Sequence, residues 1–226
     1  MASEQTRETT TITPDLAVLR DQDSDAAQAY RSVRETLRHA RDEEPIRSIL
    51  LADTGSRDQT GEAAANIAAS FALNGDPTVL LDLDAGQPAL SGIFMTPGNP
   101  GLIDWLAGAD EDGVVAPEGF SSGIDGLSII PPGLRSATSN RAALADLLTD
   151  RRCQRLISAL GATAGRIIFH ASVSPVSSQA LTVAAEVDAV VLIVRSGATK
   201  RTDAQRAKES LQRVGANLLG VVLTHG

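Results

Sequence analysis

The sequence is poor in cysteine, aromatic residues and lysine. Its 226 residues include one cysteine, Cys153, so the chain can form no internal disulfide and hold no metal through a cysteine cluster. Aromatic residues make up only 3% of the chain, so we expect a core of aliphatic side chains. Lysine occurs only at Lys200 and Lys208, which leaves the first 199 residues with arginine as their one strongly basic residue type.

Long apolar stretches and an excess of positive charge are also missing. The longest apolar run, 189–194, is far shorter than the roughly 20 residues of a membrane span. Residues 1–25 contain no apolar segment of the kind found in secretory signals. The net charge of −8 argues against nonspecific nucleic-acid binding through a basic surface. We therefore expect a cytoplasmic protein that reaches the inner face of a membrane only through a partner.

The sequence instead alternates short apolar runs with helical patterns. The apolar runs end in turn residues and predict buried strands at 48–53, 78–84, 127–130, 166–170, 189–194 and 218–223. Apolar spacings of three and four, or alanine-rich stretches, predict helices at 25–41, 62–74, 102–106, 140–160, 175–186 and 202–214. This alternation predicts a three-layer α/β/α fold around a mostly parallel, doubly wound sheet.

The chain divides into two parts of very different composition. Residues 1–24 are rich in Thr, Asp, Glu and Arg, and they predict a disordered or loosely docked arm. Residues 25–226 contain no linker and no internal repeat, so we expect them to form a single domain.

Several segments, in a fixed order, carry a resemblance to a known family. They are QAYRSVR at 28–34, AANIA at 64–68, VLLDLD at 79–84, Pro88, PGLIDWLAG at 100–108, VDAVVLIVR at 187–195 and LGVVL at 219–223. In this order they resemble the cytoplasmic domain of bacterial tyrosine kinases of the capsule and exopolysaccharide type. Those kinases are P-loop NTPases related to the cell-division and partition ATPases, and the resemblance covers roughly residues 26–226.

The resemblance assigns roles to two groups of residues. In the family, the helix that matches 28–34 mediates subunit contacts, which points to Gln28, Arg31 and Arg34 as interface residues, with a solvated stripe as the alternative for the two arginines. Gln28 stands where the family has glutamate. Asp82 and Asp84 match the acidic pair of the family's extra Walker motif.

The expected phosphate loop departs from the family. It comprises Thr54, Gly55, Ser56, Arg57, Asp58, Gln59, Thr60, Gly61 and Glu62. A working loop needs glycines, a helix N-terminus and a lysine followed by Ser or Thr. The family lysine falls on Thr60, and the Ser/Thr pair falls on Gly61 and Glu62. We therefore predict a degenerate loop.

Glu62 makes phosphate binding at the predicted loop unfavourable. Its carboxylate lies in the first helical turn, where a phosphate would bind, and we expect it to fill the anion pocket. Two unit charges about 4 Å apart repel by roughly 4 kcal/mol at an effective dielectric near 20. Arg57 would offset part of this, so the figure is an upper bound.

The second acidic motif is altered as well. The fourth predicted strand ends in His170, where the family has a magnesium-ordering aspartate. Neutral imidazole suits magnesium poorly, because this cation prefers oxygen ligands. Since strand ends converge at one edge of a parallel sheet, His170 could ligate a metal with Asp82 or Asp84. The alternative is a vestigial acidic pair beside a hydrogen-bonded strand-end histidine, with no metal.

The tyrosine-rich tail of the family is also unmatched. The printed sequence ends at Gly226, and its single tyrosine, Tyr30, lies on the first predicted helix. We interpret Tyr30 as a packing or interface residue rather than as a phosphoacceptor.

The resemblance and the altered motifs together favour a catalytically inactive, tyrosine-kinase-like domain. It would act as a scaffold or regulator in the synthesis or export of exopolysaccharide, lipopolysaccharide or capsule, without a cofactor. Its partners would be a second copy, an active kinase homologue or a membrane chain-length-determinant protein, and neither nucleic acid nor the bilayer itself.

Two alternatives remain open. One is an active ATP-dependent tyrosine kinase or ATPase, using ATP and magnesium, with Arg57 in place of the lysine. The other is a partition-type ATPase relative that binds a different ligand.

Overall fold

The computed structural model describes residues 14–40, 45–54, 61–109, 115–133, 140–173 and 176–225. Within them the chain forms seven strands: β1 Ser48–Asp53, β2 Thr78–Asp82, β3 Phe120–Ser121, β4 Leu127–Ile130, β5 Arg166–Ser172, β6 Ala189–Arg195 and β7 Leu218–Thr224. The same residues form nine helices: α1 Ala17–Arg20, α2 Asp25–Arg38, α3 Glu62–Leu73, α4 Ala89–Phe94, α5 Leu102–Gly108, α6 Asn140–Leu147, α7 Asp150–Gly161, α8 Ser178–Glu186 and α9 Arg201–Arg213.

The strands form one sheet in the order β3-β4-β2-β5-β1-β6-β7. Only the short β3 runs antiparallel to its neighbour, and every other pair is parallel. The predicted three-layer α/β/α fold with a mostly parallel sheet is therefore confirmed.

The middle of the sheet is apolar on both faces. Every residue of β1 and β2 is buried, as expected of parallel strands that helices cover on two sides. Alternate residues of β1 enter two separate cores: Leu50 packs in one with Phe169, and Ile49 packs in the other with Phe71 and Ile168. Both cores are largely aliphatic, in line with the low aromatic content.

The end of β1 turns into α3 through Gly61. This residue precedes the helix with a φ of +93°, in the left-handed region that favours glycine. A Cβ at this position would also lie 3.0 Å from the Cβ of Ala89. Glycine is therefore needed here, and it brings the N-terminus of α3 against the segment that begins α4.

The described part of the predicted N-terminal arm packs against the domain. Leu16 and Val18 are buried, and the Val18 amide donates a hydrogen bond of 3.1 Å to Oδ1 of Asn66 on α3. Residues 14–20 therefore differ from the expected loose arm, because two apolar side chains anchor them to the core. Residues 1–13 lie outside the described part of the chain.

Four local features differ from the predicted elements. The helix expected at 140–160 is two helices, because Thr149 starts a new one: its side chain accepts a hydrogen bond from the Arg152 amide. Helices α1 and α4 and strand β3 were not predicted.

Strand β7 forms one edge of the sheet. Leu219, Val221 and Leu223 point to the same side of it and are 37%, 58% and 56% exposed. In the part of the chain that the structure describes, no helix has the length and apolar character needed to cross a bilayer.

Candidate functional site at the carboxyl edge of the sheet

Four parallel strands, β1, β2, β5 and β6, end at the same edge of the sheet. Asp82 on β2 is the register partner of His170 on β5, so their side chains lie on the same face. Asp53, the last residue of β1, is level with Ser172 of β5 and Ile193 of β6. The register therefore collects ionisable side chains at the place where open α/β sheets bind their ligands.

His170 lies between two carboxylates. Its Nδ1 is 3.6 Å from Oδ1 of Asp82 and 3.9 Å from Oδ2 of Asp84, both longer than a hydrogen bond. His170 and Asp82 are fully buried. Among the described residues, neither ring nitrogen of His170 has a hydrogen-bond partner. The expected alternative of a hydrogen-bonded strand-end histidine stays a prediction, since Nδ1 lies at ion-pair distance from Asp82 and Asp84.

The two carboxylates, in contrast, are held firmly by hydrogen bonds. Asp82 accepts from the backbone amides of Asp84 at 2.9 Å and Leu90 at 3.0 Å. Asp84 accepts from the amide of Ser172 at 2.9 Å and from its hydroxyl at 2.6 Å. These bonds fix the carboxylate oxygens of Asp82 and Asp84 beside the imidazole.

The close charges alter the proton affinities of the cluster. Burial acts to lower the pKa of His170, but the carboxylates of Asp82, Asp84 and Asp53 outweigh it and raise the pKa to about 9. Burial also raises the pKa of Asp84, against the lowering effect of the neighbouring imidazole. In the protein without a metal, the imidazole therefore serves as the cation between two acidic groups.

Only part of the expected phosphate loop can be placed. Thr54, Gly61 and Glu62 belong to the described residues, whereas Gly55, Ser56, Arg57, Asp58, Gln59 and Thr60 lie outside them. The Thr54 hydroxyl donates to the carbonyl of Ile193 at 2.8 Å, which ties the end of β1 to β6. Glu62 is the first residue of α3.

The carboxylate that reaches into the start of this loop belongs to Asp53 rather than Glu62. Asp53 is 4% exposed, and its Oδ2 lies 3.5 Å from the amide of Gly61, which donates to it. Glu62 is exposed in the first turn of α3, and because residues 55–60 lie outside the described part of the chain, the expectation that its side chain fills an anion pocket stays a prediction. The usable signal in the sequence was a charged residue at the last position of an otherwise apolar strand.

Next to Asp53 lies a cavity of about 40 Å³. It is lined by Tyr30, Asp53, Glu62, Ala63, Ile193, Arg195, Thr224 and His225. Pockets for drug-sized ligands are usually about 300–1,000 Å³, so the described walls enclose far less space than that.

Tyr30 and Arg195 join this site, and sequence reasoning assigned neither of them to it. Burial raises the pKa of Tyr30, and the carboxylates of Glu62 and Asp53 add to this while Arg195 opposes it. Nη1 of Arg195 is buried and has no hydrogen-bond partner among the described residues. Tyr30 lies within α2 and Arg195 ends β6, and these two elements meet only in the folded chain.

The predicted interface residues on α2 lie outside the strand-end cluster. Arg34 is largely buried: its guanidinium donates to the carbonyl of Ser70 on α3 at 3.0 Å and pairs with Glu35 at 2.6 Å. Gln28 is exposed and donates to the carbonyl of Asp23, and Arg31 is half-buried. Arg34 thus fastens α2 to α3, which leaves Gln28 and Arg31 more open to solvent.

Comparison with known proteins bears on the family. No protein-family model matches the chain. Tyrosine-protein kinase CpsD of Streptococcus agalactiae is 28% identical over 177 residues, which span 77% of this chain and 74% of that kinase. The chain is a homologue of bacterial tyrosine kinases. The resemblance drawn from the sequence is confirmed.

Comparison with solved structures shows that this chain has the fold of bacterial tyrosine kinase domains. The kinase domain of the Escherichia coli tyrosine kinase ETK superposes with a TM-score of 0.80 at 20% identity, covering 99% of this chain and 84% of that one. The cell-division ATPase MinD of Pyrococcus furiosus superposes with a TM-score of 0.60 at 18% identity, covering 78% and 71%. The chain therefore has the P-loop NTPase-like fold that bacterial tyrosine kinase domains share with such ATPases.

Proposed function

We propose that this tyrosine kinase homologue is a catalytically inactive scaffold or regulator of capsule, exopolysaccharide or lipopolysaccharide assembly. The observation that carries the proposal is the position of Asp53. Its buried carboxylate accepts a hydrogen bond from the Gly61 amide, at the helix start where a phosphate loop offers its amides to a phosphate. A nucleotide phosphate there would have to approach an anion that the fold itself supplies.

The surrounding residues strengthen this electrostatic argument. Glu62 adds a second carboxylate in the first turn of α3, and no lysine occurs before Lys200. His170 occupies the strand end that carries a magnesium-ordering aspartate in the family. A nucleotide with magnesium would thus lack a lysine for its phosphates, and its cation would lack the aspartate oxygen that His170 replaces, although Asp82 and Asp84 remain nearby.

The test is titration calorimetry of the chain with ATP and ADP, each with and without magnesium. We expect no binding at millimolar nucleotide. A matched variant carries Asp53→Ser and Glu62→Ser, which removes both carboxylates and leaves the fold's apolar contacts intact. This variant should bind nucleotide at least tenfold more tightly than the wild type, because like charges no longer oppose the phosphates. Micromolar binding by the wild type would contradict the proposal.

The scaffold role rests on surfaces rather than on chemistry. Helix α2 keeps Gln28 exposed while Arg34 holds the helix on α3. A second copy, an active kinase homologue or the inner side of a chain-length-determinant protein would dock on this helix, which would recruit the chain to the membrane. Sedimentation of the chain alone and mixed with such a partner tests this, with Gln28→Lys and Arg31→Glu as the disrupting pair.

A second candidate, an active ATP-dependent kinase with an atypical loop, is favoured by one observation. Arg195 supplies a cation whose Nη1 lacks a hydrogen-bond partner among the described residues, close to Tyr30 and Glu62. Arginine can neutralise a phosphate, although its planar fork places the charge differently from a lysine ammonium. Phosphotransfer from ATP that is lost in Arg195→Met would support this candidate and exclude the inactive scaffold.

A further inference from the structure

The cluster of Asp82, Asp84 and His170 has a donor set unlike that of a magnesium–nucleotide site. The three donor atoms all lie within 4.8 Å of one another. One donor is an imidazole nitrogen and two are carboxylate oxygens, a mixture that suits zinc and neighbouring transition metals. Magnesium prefers an oxygen shell of near-octahedral geometry.

The spacing of the donors also agrees with a metal. Nδ1 of His170 is 3.6 Å from Asp82 and 3.9 Å from Asp84. Ligands about 2.0–2.2 Å from a tetrahedral zinc ion are roughly 3.3–3.6 Å apart. The two separations from His170 are therefore too long for hydrogen bonds and lie at or slightly above those that a shared cation would impose, while the three donor atoms together lie within 4.8 Å of one another.

His170 supplies an independent sign that something binds here. It is fully buried, and neither ring nitrogen has a hydrogen-bond partner among the described residues. Buried polar atoms are nearly always hydrogen-bonded, so a buried imidazole whose contacts with two carboxylates are too long for hydrogen bonds is a candidate ligand for a cation. A divalent cation would take up this nitrogen and neutralise both carboxylates.

The surroundings have the features of a built metal site. The Leu90 amide orients Asp82, and the Ser172 amide and hydroxyl orient Asp84, as outer hydrogen bonds do for metal ligands. Asp84 is 14% exposed at its side chain, which gives an ion a path from solvent.

We infer that Asp82, Asp84 and His170 bind one divalent transition metal ion, zinc in the first place, without any nucleotide. The inference does not depend on the proposed function, because the site lies within the chain itself and requires neither ATP nor a partner.

The test uses the full chain free of any histidine tag, stripped of metal with a chelator and titrated calorimetrically with Zn²⁺, Mn²⁺ or Mg²⁺ in the absence of nucleotide. We expect one equivalent of Zn²⁺ to bind at least 100-fold more tightly than Mg²⁺. Co²⁺ in place of zinc should give the intense visible absorption of a four-coordinate site. A chain that binds no Zn²⁺ stoichiometrically, or that binds Mg²⁺ as tightly, overturns the inference.

Variants locate the ion. His170→Gln and Asp84→Asn should each weaken Zn²⁺ binding at least about 100-fold, and Ser172→Ala about tenfold, because it only orients Asp84. His39→Gln is the matched control, since its imidazole is 80% exposed, and it should bind like the wild type. If His170→Gln does not fold, the zinc affinities of Ser172→Ala and Asp84→Asn decide whether the ion binds at this site. Unchanged affinity in these variants would place the ion elsewhere and overturn the inference.

Discussion

The parallel strands begin along one side of the central sheet, the amino edge, and end along the opposite side, the carboxyl edge. Both carry buried or half-buried acidic side chains, whose surroundings differ. At the amino edge, Oδ2 of Asp188 accepts hydrogen bonds from the amides of Arg47 and Ser48, each at 2.8 Å, and from the Ser48 hydroxyl at 2.9 Å. At the carboxyl edge, Asp82 and Asp84 face His170, whose ring nitrogens lack hydrogen bonds among the described residues.

The difference distinguishes an acidic residue that stabilises the fold from acidic residues that are available to a ligand. The carboxylate of Asp188 is balanced by neighbouring N–H and O–H dipoles, which stabilise the fold and need nothing from outside. The carboxylates beside His170 also accept hydrogen bonds, but in addition they face a whole charge at 3.6–3.9 Å, which an incoming cation can replace. Sites that are incompletely satisfied in an otherwise well-satisfied protein are the places where function is expected.

The largest effect should come from removing the positive partner at the carboxyl edge. In metal-free protein, His170→Leu should lower the free energy of unfolding by about 3–5 kcal/mol, because it leaves two carboxylates close together without a counterion. Urea unfolding in the presence of a chelator measures this. His39→Leu, at an exposed position, should stay within about 0.5 kcal/mol of the wild type. Equal stability of both variants would contradict the role of His170 as the counterion of the carboxyl edge.

A smaller effect is expected at the amino edge. Asp188→Asn should cost about 1.5–3 kcal/mol, because the hydrogen bonds from Arg47 and Ser48 lose their charged acceptor. The control is Asp15→Asn, which removes an exposed ion pair with Arg20 worth about 0–1 kcal/mol. Added zinc should leave the Asp188→Asn loss unchanged. A loss that shrank with zinc would show that the two edges are not separate.

The last prediction concerns the reactivity of the Cys153 thiol, which lies outside both edges and reports on unfolding. Burial raises the pKa of the Cys153 thiol to about 12, so we expect it to react with iodoacetamide very slowly in the native protein. The logarithm of the labelling rate should rise in His170→Leu and Asp188→Asn in proportion to their lost stability, since the thiol reacts after unfolding. Rapid labelling of the wild type would contradict the buried position of this residue.

The same thiol gives a pH dependence whose sign can be stated. Its pKa in the folded chain lies above the ordinary value of 9.0, so the unfolded chain loses the proton first as the pH rises. This contribution to stability is therefore complete below pH 9 and declines from there towards pH 12.

Much of the fold could be predicted because its signals are local. Apolar runs ending in turn residues marked the inner strands, and their parallel order followed from the alternation with helices. Helix α4 escaped prediction because its start is held by a distant contact, the Leu90 amide on Asp82. Residues 14–20 escaped because their polar neighbours concealed the buried pair Leu16 and Val18.

The site could be predicted only in outline. Strand ends converge in any parallel sheet, so Asp82, Asp84 and His170 could be grouped from the sequence. Whether the imidazole finds a hydrogen bond depends on distances of a few tenths of an ångström, which no sequence pattern encodes. The roles of Asp53 and Arg195 depend on the register of β1 and β6, which is fixed by packing.

The exposed apolar row on β7 has a consequence for how the molecules behave towards one another. Leu219, Val221 and Leu223 stand on an edge strand, where unpaired backbone groups and apolar side chains together favour pairing between chains. The net charge of −8 opposes such contact by keeping molecules apart. Colloidal stability of the domain therefore depends on long-range repulsion, and it declines as salt screens that charge or as the pH approaches the isoelectric point near 4.9.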